Sequence, residues 1–170
     1  MKVLISYCSK IMNIKIICIG KLKKDYWGSA SADYEARLKK YCKLSIVELP
    51  NIPEPDNASP AECEAAKNKE GELILKSIKD NDYVVTMEIK GKMLSSEELA
   101  DKINKLGIDG ISDIVFVIGG SLGLSDAVCK RSDFALSFSK MTFPHKLFRI
   151  LLMEQIYRSF KIINHEPYHK

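Results

Sequence analysis

Residues Val115–Lys170 read VFVIGGSLGLSDAVCKRSDFALSFSKMTFPHKLFRILLMEQIYRSFKIINHEPYHK. Asp113–Ile118 shows no polar alternation after its first residue, the pattern of a strand covered on both faces. It runs into Gly119-Gly120. A short helix is predicted over Ser125–Ser132. Phe134–Phe138 then alternates as a second strand and enters Ser139-Lys140-Met141-Thr142-Phe143-Pro144. His145–Ile163 is apolar nearly all round, the signature of a helix buried on two sides. The chain stops on a polar, aromatic, basic tail with His165, Tyr168, His169 and Lys170. Two strand ends opening into tight loops are where a parallel α/β sheet builds a small-molecule site.

The same alternation extends upstream. Ile14–Ile19 is a short β-branched run ending at Gly20. Over residues 25–42, Tyr34, Leu38 and Tyr41 recur at helical spacing. Leu44–Leu49 is a strand stopped by Pro50, and the prolines at 53, 55 and 60 mark a loop. Ser59, with Pro60 next and Glu62 three residues on, is a capping-box pattern that starts a charged, exposed helix running to about Lys79. Tyr83–Ile89 is a strand closed by Lys90-Gly91. Ser95-Ser96-Glu97-Glu98 opens a helix with Leu99, Ile103 and Leu106 at helical spacing. Strands alternating with helices predict the α/β class, as one domain over residues 12–170. Its sheet is mostly parallel, with helices on both faces. Residues 1–11 are predicted to be an N-terminal extension outside the fold, because the clean strand pattern NIKIICIG begins after Met12.

Bulk composition excludes more than it assigns. The net charge is +4, and without residues 1–11 the chain holds 24 basic against 22 acidic residues, so an electrostatic case must rest on local clusters. Cysteines stand at 8, 18, 42, 63 and 129, with no CxxC pair and no histidine at zinc-ligand spacing. This predicts no metal and reduced thiols in a cytoplasmic protein. Lys10 and Lys15 break the N-terminal apolar segment, no small-residue cleavage site follows, and no apolar run approaches the ~20 residues of a membrane span.

Each candidate site has a structural reading beside its functional one. Gly119, Gly120 and Gly123 allow positive φ and let a ligand approach bare backbone, or they form a tight strand-to-helix turn. Neither GxGxxG nor a GxxxxGK[ST] loop occurs, which disfavours dinucleotides and ATP. Phe138–Phe143 suits a flat heteroaromatic ring, and Thr142 also suits the cap of the last helix with Pro144 in its first turn. Glu154 and Arg158 can pair four residues apart. Arg149 is out of register with both and is either a buried ion-pair member or a phosphate ligand. The two apolar faces of the last helix predict a subunit partner, with a twofold homodimer as the default. Tyr168-His169-Lys170 combines stacking with cationic groups, the means by which single-stranded RNA is held.

IGGSLGLS, LSFSKMTFPHKLFR, LLMEQIYRSFKI and the terminal PYHK together resemble the RlmH-type (YbeA-like) branch of the SPOUT RNA methyltransferases, over residues 12–170. The resemblance implies a C-terminal trefoil knot, which general chain-path rules would not supply. It implies a homodimer through the knotted region and S-adenosyl-L-methionine bound between the knot loops. It also implies methylation of N3 of a pseudouridine in a large-subunit (23S) ribosomal RNA stem-loop, on assembled ribosomes. Position by position, Met87 packs on the cofactor and Gly119 and Gly120 meet it through backbone. Phe138, Ser139, Lys140, Met141, Thr142 and Phe143 wrap its adenosine. Arg149, Tyr168 and His169 face the RNA or the reacting base as catalytic residues, with His169 accepting or orienting the N3 proton. Phe138 and Met87 stand where leucine is common, and Ser-Leu-Gly follows the double glycine where many relatives have proline or alanine next. The alternatives are a SPOUT enzyme acting on tRNA and a non-catalytic ribosome-binding protein.

Overall fold

Ten elements follow one another as alternating strands and helices in a computed structural model, which describes residues 11–22, 26–53 and 57–168. They are β1 (Met12–Ile19), α1 (Tyr26–Leu38), β2 (Cys42–Leu49), α2 (Pro60–Lys76), β3 (Tyr83–Met93), α3 (Ser96–Ile108), β4 (Asp113–Ile118), α4 (Asp126–Arg131), β5 (Phe134–Ser137) and α5 (His145–Ile163). All five strands are parallel, in the order β2-β1-β4-β3-β5. Residues 1–10 of the expected extension lie outside the described residues.

Strand alternation divides the core in two. Ile14, Ile16 and Cys18 of β1 and Ile114, Phe116 and Ile118 of β4 meet Leu38, Leu99, Ile103, Leu152, Met153 and Ile156 from α1, α3 and α5. Ile17, Ile19, Val115 and Val117 point the other way, onto Ile74 of α2 and Val128 of α4. The predicted helices on both faces are therefore present. Each fully buried Ile or Leu contributes about 1.5–3 kcal/mol, which explains the unbroken apolar run of β4. Carrying α5 back over α1 and α3 after the edge strand β5 is compatible with the threaded path implied by the family resemblance.

Local sequence signals explain most boundaries. Ser59 and Glu62 form the expected capping box, and Ser95 with Glu98 forms a second. α1 stops at Leu38 rather than near Cys42, because the Tyr41 amide closes a turn onto the Leu38 carbonyl at 2.8 Å and Cys42 is already paired with Met12. α5 starts without a side-chain cap: Pro144 occupies that position, so Thr142 does not cap the helix. β3 does not end at Lys90-Gly91. Met87 and Lys92 both face Leu136 of β5, so the residues between them bulge out of the ladder. A Cβ at Gly91 would meet the backbone of Ala135 and Leu136 at 2.8 Å, so this glycine lets the bulge lie against β5.

Candidate active site

β4, β3 and β5 are neighbours, so the loops leaving their carboxyl ends converge. With the first turn of α5 they enclose a cavity of about 540 Å³, within the range of small-molecule sites. Its wall includes Met87, Glu88 and Ile89 from β3, Gly119–Leu124 after β4, and Ser137–Ser139 with Met141–Phe143 after β5.

The turn after β4 is shaped by the protein's own packing. Gly123 has φ +80° and its amide donates to the Gly120 carbonyl at 3.0 Å. A Cβ on Gly119 would lie 2.9 Å from the Gly123 backbone. One on Gly120 would lie 2.5 Å from the Glu70 carboxylate. Glu70 is 4% exposed and accepts the Ile52 amide at 3.0 Å. The double glycine thus fits a buried carboxylate on one side and leaves bare backbone facing the cavity. Sequence reading passed over Glu70 because it sits among the charges of α2, indistinguishable from a solvated face.

The loop after β5 supplies the aromatic wall. Phe148 stacks at 6.1 Å on Phe143 and packs tilted at 5.2 Å on Phe138. Phe148 and His145 also line the cavity, although sequence reading assigned them only to the helix. The Ser137 hydroxyl donates to the Ile89 carbonyl at 3.0 Å, tying this loop to the β3 bulge, and the Met141 amide donates to the Ser139 hydroxyl at 2.9 Å. Lys140 is outside the lining, unlike the other five residues of Phe138–Phe143. On β3, the fully buried Thr86 donates its hydroxyl to Oε1 of Glu88 at 2.6 Å, orienting a carboxylate at the cavity. Among the described residues, no three His, Cys, Asp or Glu side chains cluster to hold a metal ion, and no helix is long and apolar enough to cross a membrane.

Of the expected catalytic residues, Arg149 and Tyr168 are not part of this cavity's lining. Arg149 is 4% exposed, pairs with Glu48 through Nη1 at 2.5 Å, and donates from Nη2 to the Gly20 carbonyl at 3.0 Å. Of its two readings, the geometry gives the ion pair. Burial disfavours ionisation of Glu48, but the Leu22 amide and Arg149 outweigh it and hold the carboxyl below its ordinary value. Tyr168 lies along α5, its hydroxyl on Glu154 at 2.9 Å and its ring edge-on to Tyr157 at 5.0 Å. The Arg158 guanidinium sits 4.8 Å from that ring and binds Glu154 at 2.7 Å, as its spacing predicted. Burial, then the hydrogen bond to Glu154, raise the phenol pKa of Tyr168. Glu154 is six residues beyond Phe148, about 9 Å along the helix axis. His169 lies outside the described residues.

The family model described as "Predicted SPOUT methyltransferase" matches residues 12–169. The chain belongs to the SPOUT methyltransferase family. Among its relatives in this family, "Ribosomal RNA large subunit methyltransferase H" of Clostridium botulinum (strain Alaska E43 / Type E3) is 59% identical over 159 residues, 94% of this chain and all of the relative. The protein of the same name from Alkaliphilus oremlandii (strain OhILAs) is 57% identical over the same shares. A solved structure, a probable methylase family protein from Haemophilus influenzae Rd KW20, superimposes with a TM-score of 0.53 at 16% identity. That match covers 95% of this chain and 72% of the other, and speaks for the fold alone.

Proposed function

We propose that this SPOUT methyltransferase carries a methyl group from S-adenosyl-L-methionine to N3 of a pseudouridine in a 23S ribosomal RNA stem-loop, in the assembled ribosome of the cytoplasm. The observation that carries the reading is the 540 Å³ cavity walled by bare glycine backbone and stacked phenylalanines. Near-identical length and close similarity to proteins named for large-subunit ribosomal RNA methylation support it.

The residues fit the donor. The Gly119-Gly120 segment lines the cavity with backbone, Met87, Phe138 and Phe143 offer an apolar slot for a heteroaromatic ring, and Glu88 suits cationic or hydroxyl groups. S-adenosyl-L-methionine, when bound, supplies an electrophilic methyl whose bond to sulfur breaks as the bond to N3 forms, the bonding electrons staying on sulfur. The chain's own task is to align the two reactants, shed water and receive the N3 proton. Alignment in a closed site is worth several orders of magnitude in rate, so no protein nucleophile is needed. His169 accepts or orients that proton in this reading.

A homodimer completes the site. Leu147, Ile150 and Leu151 share one face of α5 with Glu154 and Arg158 and are only half-buried in a single protomer. Ile89, Met93 and Met141, near the cavity mouth, are all more than half exposed. Burying this face against a second copy brings the Tyr168-bearing surface of one protomer to the cavity of the other. That resolves the separation of tail and cavity seen within one chain.

The test is incubation with methyl-labelled S-adenosyl-L-methionine and, separately, intact ribosomes, free large subunits and naked ribosomal RNA. The reading expects label in the intact ribosome, recovered as N3-methylated pseudouridine after nucleoside digestion. Label in free large subunits or naked RNA but not in intact ribosomes, or in no RNA, overturns it.

A further inference from the structure

Beyond α5, residues 164–168 are built into the fold rather than trailing from it. His165 adopts a left-handed φ of 54° and donates its amide to the Ile162 carbonyl, while the Glu166 amide donates to the Lys161 carbonyl at 2.9 Å. Together they turn the chain back along α5. The Glu166 carboxylate sits at that reversal. It accepts from Lys161 Nζ at 2.6 Å and from the Tyr41 hydroxyl at 2.8 Å on Oε2, and from Lys40 Nζ at 3.0 Å on Oε1. Lys40 and Tyr41 belong to the α1–β2 turn, so one side chain ties together α5, that turn and the tail. Two residues later, Tyr168 reaches Glu154, Tyr157 and Arg158. A single exposed ion pair holds little, but three donors on one carboxylate fix its position from three directions.

Chain ends are ordered only when tied down, and reacting groups must be placed to a fraction of an ångström to be effective. We propose that Glu166 is a positioning residue for methyl transfer: it clamps the chain reversal so that Tyr168 is presented in a fixed position to the substrate base. The inference rests on the function proposed above. Glu166 itself touches neither the cavity nor the reacting atoms. Its effect passes through the tail.

The test compares wild type with Glu166→Ala and the isosteric Glu166→Gln in three measurements. Single-turnover methyl transfer to intact ribosomes falls by about 10- to 100-fold in Glu166→Ala, the scale expected when a reacting group is misplaced. Glu166→Gln, which keeps one acceptor, falls less. Calorimetric affinity for S-adenosyl-L-methionine stays within about twofold of wild type, because the clamp lies remote from the cavity. Carboxypeptidase releases the terminal residues faster from both variants. Unchanged turnover in Glu166→Ala overturns the positioning role, and so does turnover that falls only in step with cofactor affinity. Unchanged carboxypeptidase release overturns the clamp. A wild type that labels no RNA instead overturns the methyltransferase reading beneath it.

Discussion

Tyr168 and Glu154 stand fourteen positions apart in the chain yet meet at 2.9 Å, the phenol donating to Oε2 of the carboxylate. Oε1 of the same carboxylate takes Arg158 at 2.7 and 3.0 Å. Tyr34 of α1 is also raised above its ordinary pKa, first by burial and then by a hydrogen bond to Glu154. One acid on α5 therefore organises an arginine and two tyrosines. Replacing it strands those partners. Glu154→Leu is expected to destabilise the fold by about 1.5–3 kcal/mol, the scale of hydrogen bonds to a charged group. Urea denaturation measures this, and near-ultraviolet circular dichroism should register the loosened tyrosines. A variant as stable as wild type would show that the network contributes nothing net.

Gly120→Ala tests whether the double glycine serves packing, ligand approach or both. The added methyl would lie 2.5 Å from the Glu70 carboxylate, so either the loop or Glu70 must shift. Overpacking of this kind costs about 1–3 kcal/mol. Cofactor affinity should fall at least about tenfold as the cavity wall moves. Glu70→Ala in the same chain should restore part of both, giving a favourable coupling in a double-mutant cycle. Independent effects of the two substitutions would refute the contact.

How much of this site was legible in the sequence follows from how far apart the interacting residues lie. α5 begins and ends where its apolar run does, because that periodicity is a local property of nineteen residues. The capping boxes at Ser59 and Ser95 were equally local. Arg149 could not be placed, since its partner Glu48 is 101 residues away on β2. Gly91 read as a strand stop because only the facing backbone of β5 reveals that it lets β3 continue past a bulge. Lys140 was included in the wrapping loop by position, but adjacent loop side chains diverge, and it points outside the lining while its neighbours form it. The strand order and the threaded path are likewise non-local, and the family resemblance, not the periodicity, was what implied the knot.

Arg149→Met removes the cation from a buried pair and leaves Glu48 with the Leu22 amide and the nearby charge of Lys21. Breaking such a pair costs about 3 kcal/mol. Chemical denaturation should show this loss, with cofactor affinity changed less than in Gly120→Ala. A stable variant that fails selectively in RNA binding would instead favour the phosphate-ligand reading of Arg149.

The tail clamp also sets a pH dependence. Lys161, then Tyr41 and Lys40, hold the Glu166 carboxyl down at about 2, against an ordinary value of 4.5. A depressed carboxyl binds its proton more readily in the unfolded chain. Its stabilisation is therefore complete above about pH 4.5 and is lost as the pH falls toward about 2. The difference in melting temperature between wild type and Glu166→Gln should shrink across that window. A difference constant from neutral pH to pH 2 would contradict the sign.

Burial pushes the Cys18 thiol up to about 11 and the Cys42 thiol up to about 12. Thiolates are the reactive form, so both should resist alkylation at pH 8 in the native protein. Cys63, which is only half-buried, should be modified before either of them, as read by peptide mass after a timed quench. Rapid labelling of Cys18 or Cys42 without denaturant would show that the core opens where the structure holds it closed.

A crystal grown with S-adenosyl-L-methionine tests the account most directly. The donor should lie between the Gly119–Gly123 turn and the Phe138–Phe143 loop, beside Met87, with its methyl toward the Tyr168-bearing surface of a second protomer. A donor bound elsewhere, or loops that stay closed against it at saturating concentration, would contradict the account.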